Sequence, residues 1–164
     1  LQPEVTLFNF PQQPGRGLYI NQIQIINFRN FRSLRLSLRP GSNCLIGENN
    51  SGKTNLLVAL RLAIDINLPA WQRNLNEQDF SSPLDMKTPQ QILIAVDFTD
   101  FKDKPNQEAL VGKFRIGAAD DQARVYYRFA PNRKIRDNLA IVGKFLHNYR
   151  LMTMTGRSRG VGQR

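Results

Sequence analysis

Cysteine and histidine are nearly missing from this sequence, with Cys44 and His147 the single examples of each. One thiol closes no internal disulfide, and neither residue has a second Cys or His at ligand spacing, which excludes a zinc cluster and leaves His147 without a triad. Cys44 stands in an apolar stretch and reads as a small buried hydrophobe. Long hydrophobic runs are lacking too. The longest, over residues 56–68, is interrupted by Arg61 and Asp65, and no basic-then-apolar leader opens the sequence. A soluble, cytoplasmic protein with no membrane partner is therefore expected. Acidic side chains are scarce, 13 against 23 Lys and Arg, for a formal charge of +10. Residues 1–64 carry seven basic and two acidic groups, residues 65–121 six and ten, and residues 122–164 ten and one. Basic ends of this kind attract polyanions by counterion release, so DNA is a natural partner. A merely solvated basic face remains the alternative.

What is present suffices for one core: 164 residues, 41% of them apolar. Residues 1–17, with Pro3, Pro11, Pro14, Gly15 and Gly17, show no sustained periodicity and read as a loose N-terminal arm. Ile20, Ile23, Ile25 and Phe28 mark a strand, and Leu34, Leu36 and Leu38 alternate with polar neighbours as a second. Arg29 and Asn30 stand at the reversal between them, and Pro40-Gly41 ends the second strand. A third strand, Asn43 to Ile46, runs into Gly47. Beyond the next few residues Leu56, Leu57, Leu60, Ala63 and Ile64 recur on one face of a helix that stops near Asn67. Residues 69–90, with Pro69, Pro83 and Pro89, allow only short helical turns. Gln91 to Phe98 and Ala123 to Phe129 are β-forming runs, and Asp120-Asp121 suggests a hairpin joining a strand at Lys113 to Ile116 with the latter. Residues 18–150 thus form the domain, and 151–164 a basic flexible tail.

Between the third strand and the helix lies Gly47-Glu48-Asn49-Asn50-Ser51-Gly52-Lys53-Thr54. It fits G-x-x-x-x-G-K-[ST] at every fixed position, in the strand-to-helix setting that this phosphate-binding loop requires. By chance, four such residues would recur on the order of once in a few hundred chains of this length. Each residue type has a task. Gly47 and Gly52 permit a tight backbone with no Cβ in the way, and successive N–H groups and the helix N-terminus then face the anion. Lys53 brings a mobile charge to the β- and γ-phosphates, and the Thr54 hydroxyl ligates Mg²⁺. Asn55 is placed to add a hydrogen bond to the α-phosphate. ATP with Mg²⁺ is the expected ligand.

The segment Ile25-Ile26-Asn27-Phe28-Arg29-Asn30-Phe31-Arg32-Ser33-Leu34, followed by Leu45 to Leu57 around the loop, resembles the start of RecF- and SMC-like ATPases. It is most similar to the ATPase module of the overcoming-lysogenization-defect (OLD) family of nucleases, in which an N-F-[RK]-x-[FI] hairpin precedes a G-x-N-[NG]-[SA]-G-K-[ST] loop. A weaker likeness extends through Asp79-Phe80 and the strand Ile92 to Phe98, so that residues 18–130 are covered. The resemblance implies an α/β P-loop NTPase of the ABC/RecF-like kind, an N-terminal lobe with a mixed β-sheet around the P-loop helix. It implies ATP held between two protomers of a homodimer, and work on DNA in repair or phage defence. It also implies that Arg29, Asn30 and Phe31 lie beside the base and sugar, although from the residues alone Phe28 and Phe31 read more often as core aromatics, and Arg29 and Arg32 equally well as solvated side chains.

Several family parts are not found in this sequence. No L-S-x-G signature, no late acidic pair ending an apolar strand and no C-terminal toprim-like carboxylate cluster is visible. Nucleotide binding is therefore expected here, with hydrolysis only on completion by a C-terminal half and a second protomer. Asp97, ending Ile92-Leu93-Ile94-Ala95-Val96, imitates a Walker B acid 44 residues after Lys53. That leaves open a compact P-loop kinase or nucleotidase. A further alternative is a non-catalytic nucleic-acid binder using Arg124, Arg128, Arg133, Lys134, Arg136 and the 157–164 tail, with Tyr126, Tyr127 and Phe129 interleaved. Asp79 is a weaker candidate for a place near the γ-phosphate.

Overall fold

The structure is a computed structural model that describes residues 6–11, 17–49, 51–81, 90–116, 121–131 and 149–152. Strand β2 (Tyr19–Phe28) turns at Arg29-Asn30 into β3 (Phe31–Ser37), with Phe28 opposite Phe31 and Gln22 opposite Ser37. Strands β5 (Ile92–Thr99), β6 (Gln122–Pro131) and β7 (Tyr149–Met152) extend this hairpin into a five-stranded sheet of order β3-β2-β5-β6-β7. Every described pairing is antiparallel. The expected sheet around the P-loop helix thus resolves into this one and a separate two-stranded ribbon.

That ribbon corrects the reading of the N-terminus. Thr6–Pro11 is strand β1, paired along its whole length with β4 (Gly41–Ile46), from Thr6 opposite Ile46 to Pro11 opposite Gly41. Proline content suggests a loose arm, yet Pro11 ends a strand, where its missing N–H removes no needed ladder bond. Residues 12–16 lie outside the described residues. Gly17, at φ 120°, donates its N–H to Asp100 Oδ2, and Leu18 N–H donates to Gln107 Oε1 at 2.6 Å. At the other end β7 carries the fold past the expected boundary to Met152, and residues 153–164 are outside the described ones, as is His147.

Helix α1 (Lys53–Ile64) packs on β5 and β6, but not by the expected face. Leu56, Ala59 and Leu62 are the buried residues, whereas Leu57 is 59% and Ile64 41% exposed. Between Leu56 and Ile64 only Arg61 is polar, so periodicity could not decide which stripe meets the sheet. The core beneath α1 joins Ile23, Ile25, Phe28, Phe31, Ile92, Ile94, Tyr127 and Phe129. Cys44 is likewise corrected: it is exposed, on the side of the ribbon away from half-buried Leu45.

The connecting region holds short turns, as expected: α2 (Ala70–Arg73) and a 3₁₀ turn over Glu77–Asp79. Arg73 donates from Nη2 to Asp65 O and Ile66 O and from Nε to Leu68 O, closing the C-terminal end of α1. The predicted hairpin arm at Lys113 to Ile116 is mostly 3₁₀ turn (Gly112–Phe114), with only Arg115 bridged to Ala123. Helix α3 (Pro105–Val111), absent from the sequence reading, begins with Pro at its first turn and buries Val111 against Phe101 and Ala123. No helix among the described residues is long and apolar enough to cross a membrane.

Candidate nucleotide site

Strand β4 delivers the chain to Gly47, and α1 leaves at Lys53. Between them the loop closes on itself through Ser51 N–H to Glu48 O at 3.1 Å. Asn50 lies outside the described residues. A cleft of about 460 Å³ opens here, lined by Asn49, Gly52, Lys53, Thr54 and Asn55. Gly52 is the N-cap of α1 at φ 95°, a left-handed conformation. A Cβ there would run into the Asn30 amide and stand 2.8 Å from Phe31 Cζ, so this position requires glycine on two counts. Gly47 has no positive φ; of the two motif glycines, only Gly52 needs that freedom.

The first turn of α1 has no side-chain cap and no acidic residue. Its opening N–H groups and the positive end of its dipole are left to an anion. Lys53 Nζ meanwhile donates to Gly47 O at 2.5 Å, Glu48 O at 2.7 Å and Ser51 Oγ at 3.3 Å. The ammonium is thereby held over the loop. Thr54 lines the same cleft one residue on, exposed and on the first turn. An ammonium poised over the loop, uncapped amides and an exposed hydroxyl form a donor set that fits a polyphosphate with a hard divalent cation.

The hairpin tip supports this loop from the side. Arg29, at φ 50°, is an unusual left-handed residue. Two bonds to one partner hold it there: its N–H donates to Asp79 O at 2.7 Å and its Nε to Asp79 Oδ1 at 2.9 Å. Asp79 is 7% exposed and also accepts from Asn76 N–H through Oδ2, the return half of a capping box. From Arg29 the network continues. Nη1 donates to Asn55 Oδ1 at 3.0 Å, and Asn55 Nδ2 donates to Asn30 Oδ1 at 2.9 Å. Asn30 Nδ2, beside Gly52, is buried with no partner.

The structure therefore brings Arg29, Asn30, Phe31, Gly52 and Asn55 together, with altered individual roles. Phe31 is 2% exposed and has no free face for a base; it is a core ring supporting Gly52. The Asn55 amide is occupied by Arg29 and Asn30 on both sides. Asp79 holds the hairpin tip, and Asn76-x-x-Asp79 ahead of Phe80 carries the capping signal that marks it in the sequence.

Asp97 is elsewhere. It pairs with Gln22, six residues along β2 from Phe28, which is about 20 Å from the hairpin tip at strand rise. Both its oxygens accept from Arg124, at 2.6 and 2.7 Å. The β-run reading of residues 92–98 holds, whereas the use of Asp97 as a magnesium acid beside the loop does not.

The AAA ATPase domain family matches residues 18–149. Shorter stretches are similar to proteins described as DNA replication and repair protein RecF. One from Moorella thermoacetica is 49% identical over 44 residues, covering 27% of this chain and 12% of the relative. Another from Listeria welshimeri is 38% identical over 63 residues, covering 38% and 16%. The chain thus spans less than a fifth of the length of these relatives. With a family match across most of its residues, and with the strand, phosphate loop and helix in place, this chain belongs to the AAA ATPase domain family of P-loop NTPases.

Proposed function

We propose that this domain binds ATP with Mg²⁺ in the cleft at residues 47–55, as the N-terminal lobe of a RecF-like ATPase of the OLD kind that works on DNA. One observation carries the nucleotide reading: Lys53 Nζ rests on the Gly47 and Glu48 carbonyls at the mouth of an uncapped helix. Phosphate oxygens compete for that ammonium and for the first-turn N–H groups, and Thr54 Oγ1 holds the cation. Asn30 Nδ2, the orphaned donor beside Gly52, gains an acceptor on the bound nucleotide. The magnesium neutralises charge on the phosphates when bound.

Hydrolysis depends on parts beyond these residues, a water-orienting acid and a second protomer closing over the γ-phosphate. Two features support completion from outside. Leu57 and Ile64 on α1 and Ile46 on β4 are large apolar side chains left exposed. Among the described residues β4 has one partner strand, β1, so its other edge is free. Repair or phage defence, and an ATP-dependent endonuclease in the complete protein, follow from the OLD likeness as part of this proposal. The test pairs equilibrium dialysis of labelled ATP with a phosphate-release assay on the same sample. Binding without turnover is expected; appreciable turnover that disappears in Lys53→Ala would overturn the dependence on parts beyond these residues.

A further inference from the structure

Side chains of the five-stranded sheet alternate between two environments. Ile23, Ile25, Ile94 and Tyr127 turn to the core shared with α1, and α3 packs on that side as well, through Val111 against Ala123. Among the described residues no element covers the opposite face. Its middle row runs Arg35, Gln24, Ala95, Tyr126 across β3, β2, β5 and β6. Arg124 and Arg128 flank Tyr126 two residues away on either side, about 7 Å along the strand.

The arginines on this face differ in what holds them. Arg124 is neutralised by Asp97. Arg128 Nε instead donates to Gln91 Oε1 at 2.8 Å. Arg35 Nε and Nη2 donate to Gln24 when its amide oxygen turns toward β3. A neutral amide fixes a guanidinium without cancelling its charge. Among the described residues no carboxylate pairs with Arg35 or Arg128. Two oriented, uncompensated cations therefore stand about 16 Å apart by backbone spacing, three strands across and two residues along, with half-buried Tyr126 on the same strand as Arg128 and about 7 Å from it.

We infer that this sheet face binds single-stranded DNA, with phosphates at Arg35 and Arg128 and a base stacked on Tyr126. This rests on the proposed reading that DNA is the partner. Charge favours it, since the segment from β6 onward carries ten basic residues and one acidic. Shape selects the strand state. Five strands are about 19 Å across, too broad for a major groove of about 12 Å, and stacking on an aromatic side chain needs a base face that a duplex hides.

The experiment is fluorescence anisotropy of a labelled oligothymidylate against the whole chain, over a salt series, with matched duplex DNA and oligouridylate as competitors. Variants are Tyr126→Ala, Tyr126→Phe and the double change Arg35→Ala with Arg128→Ala, each required to unfold at the wild-type temperature. Tyr126→Ala should weaken binding about 5- to 100-fold, while Tyr126→Phe keeps it. The double variant should flatten the log–log salt slope by about 1.4. Wild-type affinity and slope in folded variants would overturn the assignment. Preference for duplex, or for oligouridylate, overturns this proposal and leaves ATP binding standing; binding to neither form of DNA overturns the DNA partner itself.

Discussion

Arg29 and Asp79 hold each other twice, the backbone N–H of Arg29 to the Asp79 carbonyl at 2.7 Å and its Nε to the Asp79 carboxylate at 2.9 Å. The pair locks a left-handed residue at the hairpin tip and aims its Nη1 at Asn55 on α1. A segment 50 residues downstream thereby fixes the side wall of the phosphate loop.

Asp79→Ala removes the buried acid from Arg29 and opens the capping box at Asn76. With Arg29 side chain 35% exposed, part of the charge cost is met by water, and the expected loss is about 2 kcal/mol in urea denaturation. In a cycle with Arg29→Ala the two changes should couple by about 1 kcal/mol or more. Strict additivity would show that the contact does not stabilise the tip.

Gly52→Ala combines a left-handed backbone with a side-chain collision at Asn30 and Phe31. The expected cost exceeds about 1 kcal/mol, and ATP affinity should fall with it because the loop must shift. Calorimetric titration together with thermal unfolding reads both. A variant with native stability and native affinity would refute the close packing of the hairpin tip under the loop.

Asp97→Asn should leave Mg²⁺-dependent ATP binding unchanged and cost only about 1 kcal/mol, since the half-exposed Arg124 can turn to solvent. Loss of nucleotide affinity in this variant would restore Asp97 as a magnesium acid.

Asp121 gives a pH signature. Burial works to raise its pKa, but the N–H groups of Lys102, Phe101 and Asp100, with the charge of Lys104, outweigh it and hold the carboxyl below its ordinary 3.8. Because the folded value is the lower one, its contribution is complete above the unfolded pKa and disappears as pH falls through the folded pKa. Asp121→Asn should lower the unfolding temperature at neutral pH and reduce its decline below about pH 4. Parallel pH profiles for the two proteins would contradict this.

Much of the architecture was legible where local chemistry decides it. The Arg29-Asn30 reversal, the strand into Gly47 and the helix from Lys53 follow from turn residues, alternation and a fixed-spacing motif. What remained illegible depends on partners distant in sequence. β1 is a strand only because β4 offers it an edge, and the buried stripe of α1 is chosen by the sheet beneath it. The Asn55 amide is taken by Arg29 and Asn30, about 25 residues upstream, a pairing that the spacing of the motif does not reveal. Phe31 resolved the same way, as core beneath Gly52.

The central claim is that nucleotide binds at the loop through Lys53. Isothermal titration of Mg-ATP into wild type and Lys53→Ala tests it most directly, with unfolding temperature confirming that the variant folds. The account predicts saturable one-site binding to wild type and affinity weakened at least about tenfold in Lys53→Ala, the loss of one charge-assisted contact. Equal affinity in the two folded proteins would place the nucleotide elsewhere.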